Sequence, residues 1–206
     1  WDKEGNDAGT FTPKNWSVDV GYARKLTDDL SVGATARFIR SDMSGLDKDD
    51  VANAVAFDLG LYYRRNFENW EQSQWAVGLQ ASNFGTKIDY GYGKYDQASK
   101  VAAGGMIDHV FTDKHRLQGT LDVACQVLPN TNWGGSVGVE YTLLQIVAIR
   151  GGYHYGEQDN KLQRYGTLGC GVGCHHIKAD FAYLIPEKDS LLKNTWQVAL
   201  SIDLGL

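Results

Sequence analysis

The chain has 206 residues, of which 43% are hydrophobic and 22% charged, and its formal net charge is −5. This composition excludes an intrinsically disordered chain, and the length is sufficient for one all-β domain of ordinary size. The negative charge is not that of a nucleic-acid-binding protein, so no nucleic acid is expected as a partner. No run of eighteen apolar residues is present, which excludes a transmembrane helix.

Apolar and polar residues alternate along eleven segments, and a period of two predicts strands with one apolar face each. Taken in chain order, the predicted strands span residues 15–23, 30–41, 52–65, 74–84, 99–111, 116–127, 133–142, 146–155, 164–174, 176–184 and 195–206. Segments of about ten residues with this pattern have the length that a tilted membrane-spanning strand needs. No linker interrupts the series, so residues 1–206 are predicted to form a single domain.

The connections between the predicted strands alternate strictly between a shorter and a longer set. The short set comprises residues 24–29, 66–73, 112–115, 143–145 and the link near residue 175. The other set, mostly longer and more polar, comprises residues 42–51, 85–99, 128–132, 156–163 and 186–194, although 128–132 is itself short. In outer-membrane barrels short turns face the periplasm and long loops face outward. The pattern therefore favours an all-β, antiparallel, up-and-down transmembrane barrel over the alternative, a soluble β-sandwich.

The same alternation predicts an orientation in the cell outer membrane. The last strand ends on the short-turn side, so the C-terminus is expected in the periplasm and the long loops outside the cell. A single-chain barrel normally starts and ends in the periplasm with an even number of strands. We therefore expect an odd number of strands before Trp1, and eleven plus three gives fourteen. Trp1 is also an unusual first residue, so the numbering is expected to start inside a longer precursor.

The two faces of the predicted strands differ in chemistry. The apolar, lipid-facing set is predicted to contain Val18, Val20, Phe38, Phe57, Leu59, Leu61, Val77, Leu79, Leu121, Val123, Val137, Val139, Ile149, Leu168, Val172, Phe181, Val198, Leu200 and Ile202. Aromatic residues near the strand ends suit the interfacial girdles of a barrel: Trp16, Tyr22, Tyr63, Trp75, Tyr141, Tyr155, Tyr183 and Trp196. The inward set is small or polar: Asp19, Gly21, Gly33, Arg37, Asp58, Gly60, Gln80, Asp122, Glu140, Arg150, Lys178, Asp180 and Asp203.

Glu140 and Arg150 lie symmetrically about the short connection at residues 143–145. Opposite charges directly across a strand pair attract each other, so we expect these side chains to form an ion pair. We interpret the pair as a lumen contact that keeps both charges away from lipid. The alternative is that it forms part of a conduction path.

Cysteine and histidine cluster in one stretch, which resembles a metal site. Cys170 and Cys174 lie four residues apart on a predicted strand, which separates their Cα atoms by about 13 Å. That distance is too long for a disulfide, and the thiolates could not converge on one ion with His175 and His176 unless the strand bends. No metal site is therefore predicted.

The sequence also has no G-x-S-x-G, P-loop or H-E-x-x-H motif, so no enzyme activity, catalytic residue or cofactor is expected.

Several segments resemble the PorV/PorQ-type outer-membrane proteins of the type IX secretion system. The segments are VGYARKLTDDLSVGATARFIRSDMSG (20–45), AVAFDLGLYY (54–63), GVEYTLLQIVAIRGGYHY (138–155), TLGCGVGCHHIKADFAYLIP (167–186) and NTWQVALSIDLGL (194–206). This family is related to the FadL-type transporters and has fourteen-stranded barrels. The count agrees with the one inferred from the connections. The C-terminal Leu206 departs from the aromatic residue at which many barrels end.

The resemblance implies a role in protein secretion. Such proteins bind the large translocon barrel, receive cargo through its C-terminal signal domain and pass it to a surface attachment complex with a sortase-like protease. The long connections 42–51 and 85–99 are the best candidates for binding protein partners, because tyrosine is enriched at interfaces and the second carries Tyr90, Tyr92 and Tyr95. These loops could instead merely cap the barrel. Two other functions remain open at this stage: a FadL-like transporter of hydrophobic small molecules, and a lipid-modifying enzyme.

Overall fold

The computed structural model describes residues 14–42, 51–91, 93–157, 164–174, 177–187 and 194–202. Within these ranges the regular elements are β-strands. Their bounds are β1 Lys14–Lys25, β2 Leu30–Asp42, β3 Val51–Phe67, β4 Trp70–Gly85, β5 Ile88–Asp89, β6 Lys94–Tyr95, β7 Lys100–Thr112, β8 His115–Gln126, β9 Asn132–Leu143, β10 Val147–Gly156, β11 Tyr165–Cys174, β12 Ile177–Pro186 and β13 Trp196–Ile202. The described residues contain no helix that is long and apolar enough to cross a bilayer.

Eleven strands form one antiparallel sheet in the order β1-β2-β3-β4-β7-β8-β9-β10-β11-β12-β13. Each strand pairs with its neighbour in the chain, so the predicted all-β, up-and-down arrangement is confirmed. Among the described residues, no pairing joins β1 to β13. β5 and β6 form a separate two-stranded hairpin inside the connection 85–99, which the sequence pattern did not predict because each strand is only two residues long.

The strand register places the apolar residues on one face. Directly opposed residues of antiparallel strands share a face, and Val18 faces Phe38, which in turn faces Val55. The same relation continues strand by strand to Ala179 opposite Leu200. Every member of the predicted lipid-facing set lies on this apolar face. The described members of the predicted inward set lie on the opposite, polar face; Asp203 is outside the described residues.

Burial is the reverse of that in a soluble protein. Large apolar side chains stay exposed, among them Leu59 (62%), Leu121 (61%) and Leu200 (67%). Among the described residues, the buried hydrophobic ones are all alanines: Ala52, Ala54, Ala56, Ala76 and Ala148. The register places these alanines on the polar face. One face of the sheet therefore presents a continuous apolar surface, and the residues buried on the other face are small or polar, such as the alanines and Asp108.

The turn between β9 and β10 positions Glu140 and Arg150. The amide of Ile146 donates to the carbonyl of Leu143 at 3.0 Å, and Leu144 and Gln145 both have φ of 56°. Two residues with positive φ make a tight hairpin connection whose twist matches that of the flanking strands. As a result Glu140 lies directly opposite Arg150.

Candidate functional site

The first polar cluster centres on Arg150, and we call it the Arg150 network. Its Nε donates to Glu140 on β9 and its Nη1 donates to Asp180 on β12. The second contact passes over β11, where Gly171 lies opposite Asp180. A Cβ at Gly171 would overlap the Asp180 carboxylate, so glycine is what leaves room for the guanidinium to cross a strand. Arginine suits this role because its fork of donors can serve two carboxylates at once.

A second ion pair lies on the polar face beside this network. Arg116 donates to Asp108 through Nε at 2.7 Å and through Nη2 at 2.6 Å, and Gln74 adds a donor at 3.0 Å. Asp108 is almost completely buried. These groups and the Arg150 network line a cleft of about 510 Å³ on the polar face. Since the lining carries charges of both signs, the cleft is suited to polar contents.

The other polar cluster centres on Arg37, and we call it the Arg37 network. Arg37 donates through Nε to Asp19 at 3.0 Å, through Nη2 to Asp58 at 3.3 Å and through Nη1 to Asn83 at 2.6 Å. Asn83 lies in an irregularity of the β3–β4 pairing and has φ of 59°. Its backbone amide donates to Asp58 at 2.7 Å. The network therefore ties β1, β2 and β3 to the end of β4, from which the connection to β7 starts.

The connection 86–99 packs back onto the sheet. The amide of Thr86 donates to the carbonyl of Val55 at 2.9 Å, and the Gln97 side chain donates to the same carbonyl at 3.0 Å. The Ser99 hydroxyl donates to the carbonyl of Asn83 at 2.7 Å. A Cβ at Gly85 would overlap the carbonyl oxygen of Val55, so only glycine permits this close approach.

The predicted tyrosine surface divides into residues with different roles. The hydroxyl of Tyr90 donates to Ser41 at 2.8 Å, and Ser41 donates to Asn15 at 2.6 Å. Tyr95 is 52% exposed and contacts the Tyr90 ring edge to face, with ring centroids 5.9 Å apart. Tyr92 lies outside the described residues, as does most of the connection 42–51. Tyr90 is thus an anchor, and Tyr95 is available at the surface.

The hairpin formed by β5 and β6 carries two exposed ion pairs. Lys94 lies 3.2 Å from Asp89, and Lys87 lies 3.0 Å from Asp96. The backbone amide of Gly91 donates to Asp89 at 3.0 Å. That amide and the Lys94 ammonium stabilise the carboxylate and hold the pKa of Asp89 below its usual value of 3.8. The hairpin surface is therefore charged at neutral pH.

Two serine–histidine contacts emerge that the sequence motifs did not reveal. Ser73 Oγ lies 2.9 Å from His109 Nδ1, and Ser136 Oγ lies 2.9 Å from His154 Nδ1. Ser73 is fully buried, which denies a substrate access to its hydroxyl. Among the described residues, His154 stacks on Tyr165 and makes no hydrogen bond to a carboxylate. Neither contact has the third, orienting acid of a hydrolytic triad.

Of the cysteine–histidine stretch, the two cysteines lie within the described residues. Cys170 and Cys174 are both exposed on the apolar face. His175 and His176 lie outside the described residues. Within the described ranges, no three histidine, cysteine, aspartate or glutamate side chains come close enough together to hold a metal ion.

Comparison with known proteins identifies the family. The model of the family described as "Type IX secretion system protein PorV" matches residues 2–132, which is more than half of the chain. No curated protein matches the sequence. The matched region includes the Arg37 network and the connection 86–99, and the same antiparallel sheet continues without interruption beyond it. The chain therefore belongs to the PorV family of type IX secretion system proteins.

Proposed function

We propose that this chain is a non-enzymatic outer-membrane β-barrel that binds the type IX translocon barrel and shuttles secreted cargo. In this role it receives cargo with C-terminal signal domains and passes it to the sortase-like surface attachment complex. The observation that carries the proposal is the match to the PorV family, which implies involvement in type IX secretion and an outer-membrane location. The structure supports it through the exposed apolar face of the eleven-stranded sheet.

Closure of the sheet into a fourteen-stranded barrel is part of the proposal. An apolar surface that extends over eleven strands is far larger than the patches that soluble monomers expose, and lipid is the environment that would cover it. A membrane sheet also needs partners for its edge strands, because unpaired backbone groups are costly in hydrocarbon. Three further strands between β13 and β1 would supply these partners. The short connections would then lie in the periplasm with the C-terminus, and the long ones outside the cell.

The surface of the β5–β6 hairpin is the proposed docking site. It presents an exposed tyrosine, Tyr95, between the charged residues Lys94 and Asp96. Tyrosine provides a large contact area at a low cost in side-chain entropy. The position of the hairpin in a long connection would place it outside the cell, where cargo and the attachment complex meet.

The alternative function, transport of hydrophobic small molecules, has less support. A transporter of this kind needs an apolar pocket along its lumen. The cleft on the polar face is lined instead by charged groups such as Arg116, Glu140, Arg150 and Asp180. Apolar solutes would have to displace water from these groups without replacing its hydrogen bonds.

Site-specific photocrosslinking in living cells tests the docking proposal. A photoreactive amino acid at Tyr95 should crosslink to the translocon barrel, to a cargo C-terminal domain or to the attachment complex. The same amino acid at Tyr62, a tyrosine of the polar face that is also exposed, is the matched control and should give no such crosslinks. If no crosslinks form at Tyr95 in cells that secrete normally, the hairpin is not the docking site.

Deletion of residues 90–95 provides a functional readout. Cargo should accumulate in the periplasm while the level of folded barrel, seen by its heat-modifiable gel migration, stays unchanged. Normal surface delivery by this variant would exclude the hairpin as a docking site. A full-length protein that stays monodisperse without detergent would exclude the membrane barrel itself.

A further inference from the structure

Burial along β3 is uneven in a way that the sheet alone does not explain. Ala52, Ala54 and Ala56 lie on the polar face and are exposed by 1%, 3% and 0% respectively. Gly60 lies on the same face of the same strand, and an added Cβ there would meet no atom within 4 Å. Something therefore covers the end of β3 nearest the long connections, while the middle of the strand stays open.

The cover is the connection 86–99. Tyr90 reaches Ser41, which lies opposite Ala52 and is itself buried. Gln97 is buried and donates to the carbonyls of Val55 at 3.0 Å and Thr86 at 2.6 Å. The connection thus folds over the polar face of β2 and β3.

The Arg37 network holds the end of β4, from which this connection starts, in place. The irregularity in the β3–β4 pairing turns Asn83 toward Arg37, and the Ser99 hydroxyl bonds the Asn83 carbonyl. Ser99 is 2% exposed, and its own carbonyl accepts from the amide of Val127 at 2.8 Å. Both ends of the connection are therefore tied to the sheet, so its inward path is determined by specific hydrogen bonds.

We propose that the described residues of this connection, 86–91 and 93–99, form a lid that folds into the outer mouth of the barrel and closes it to small solutes. The lid rests on the proposed barrel, because only a closed sheet gives the polar face a lumen. The alanines at positions 52, 54 and 56 leave the space into which the lid packs, since larger side chains there would occupy it. The resting barrel is then non-conducting, as expected of a protein that handles folded cargo rather than solutes.

Cysteine accessibility tests whether the lid covers its seat. In full-length folded protein in detergent, with Cys125, Cys170 and Cys174 replaced by serine, Ala54→Cys is compared with Gly60→Cys. A membrane-impermeant anionic methanethiosulfonate should modify position 54 about tenfold more slowly, because reaction requires local opening of the lid. Gln97→Ala with Tyr90→Phe should raise the rate at position 54 and leave position 60 unchanged. Equal modification rates at positions 54 and 60 in the protein that retains Gln97 and Tyr90 would overturn the lid proposal.

Conductance in planar lipid bilayers tests closure. The full-length barrel should pass little current, and the Gln97→Ala, Tyr90→Phe variant should pass discrete, larger currents. Tyr95→Phe, which alters an exposed hydroxyl of the same hairpin, is the matched control and should conduct like the wild type. If deletion of residues 87–96 leaves the conductance of the inserted barrel unchanged, the lid does not close the lumen. A protein that fails to insert at all contradicts the proposed barrel instead, so the two failures are distinguishable.

Discussion

The Arg37 and Arg150 networks have the same components but different structural consequences. Each places one arginine between two carboxylates on the polar face. The Arg150 network contacts only regular strands and reaches over Gly171 to a third one. The Arg37 network also binds Asn83, which lies near the end of β4, shortly before the connection 86–99. The difference shows that an ion-pair network in this sheet can either join strands or position a loop.

The two networks also differ in their contact with solvent. In the Arg37 network Asp19 is 42% exposed and Asp58 is 16% exposed, so the two carboxylates are unequal. In the Arg150 network the exposures of Glu140 and Asp180 are 26% and 27%. Screening by water weakens an ion pair. We therefore expect the more evenly sheltered Arg150 network to contribute more to stability, and the Arg37 network to matter more for the lid.

The largest effect is expected from Gly85→Ala, at the root of the lid. The new Cβ would overlap the backbone carbonyl of Val55, which cannot move without disturbing its hydrogen bonds from the Thr86 amide and the Gln97 side chain. Overpacking of this kind should lower the free energy of unfolding by about 3 kcal/mol. Urea titration of the folded fraction, followed by heat-modifiable gel migration, measures the loss. Gly60→Ala, where space is open, is the control and should differ little from the wild type.

Arg150→Met should have the next largest effect. It leaves Glu140 and Asp180 on one face without their cation, and partial exposure reduces the cost below that of a fully buried site, to about 2 kcal/mol. The same urea titration measures it. Adding Glu140→Gln and Asp180→Asn should restore most of the lost stability, because no uncompensated charge remains. Lys178→Met, at an exposed cation on the same face, is the control. An unchanged unfolding midpoint for Arg150→Met would show that the pair is merely a surface contact.

Arg37→Met should cost less, about 1 kcal/mol, because solvent already screens Asp19 and Asp58 still accepts from the Asn83 amide. Although Arg37→Met should change the free energy of unfolding little, it should loosen the lid. The modification rate of Ala54→Cys should rise in this background, whereas Arg150→Met should leave that rate unchanged. A rise in both backgrounds would mean that the networks do not have separate roles.

The smallest effect concerns the pH dependence of the hairpin. Because the folded-state pKa of Asp89 is lowered, its contribution is fully present above its ordinary pKa of 3.8 and is lost as the pH falls through the folded value. The conformation of the hairpin should therefore not change with pH near neutrality. It should loosen only as the pH falls through the folded-state pKa of Asp89. Carbon-detected NMR titration of the Asp89 carboxyl should give a pKa below 3.8, and Lys94→Ala should raise it. A titration at the ordinary value would show that the Gly91 and Lys94 contacts are not maintained in solution.

Sequence reasoning predicted the pair of Glu140 and Arg150 but placed Asp19 and Arg37 only on the inward face, without pairing them. Glu140 and Arg150 lie symmetrically about a tight turn, and the same symmetry about the turn after β1 relates Asp19 to Arg37. Asp180 and Asn83 could not be placed in this way. Asp180 meets Arg150 across an intervening strand, and Asn83 reaches Arg37 only because a local irregularity turns it inward. Pair contacts within a hairpin follow from chain geometry, whereas contacts beyond it depend on the register of several strands.

The sequence by itself determined the eleven strands and their two faces, because successive side chains on an extended backbone must alternate between faces. It also determined which connections are short. Only the tertiary structure decided the path of residues 86–99, since a loop has no periodicity to indicate where it packs. That path depends on Ser41, on Val55 and on the space above Ala54. These positions are distant in sequence from residues 86–99 and contact the loop only after the sheet has formed.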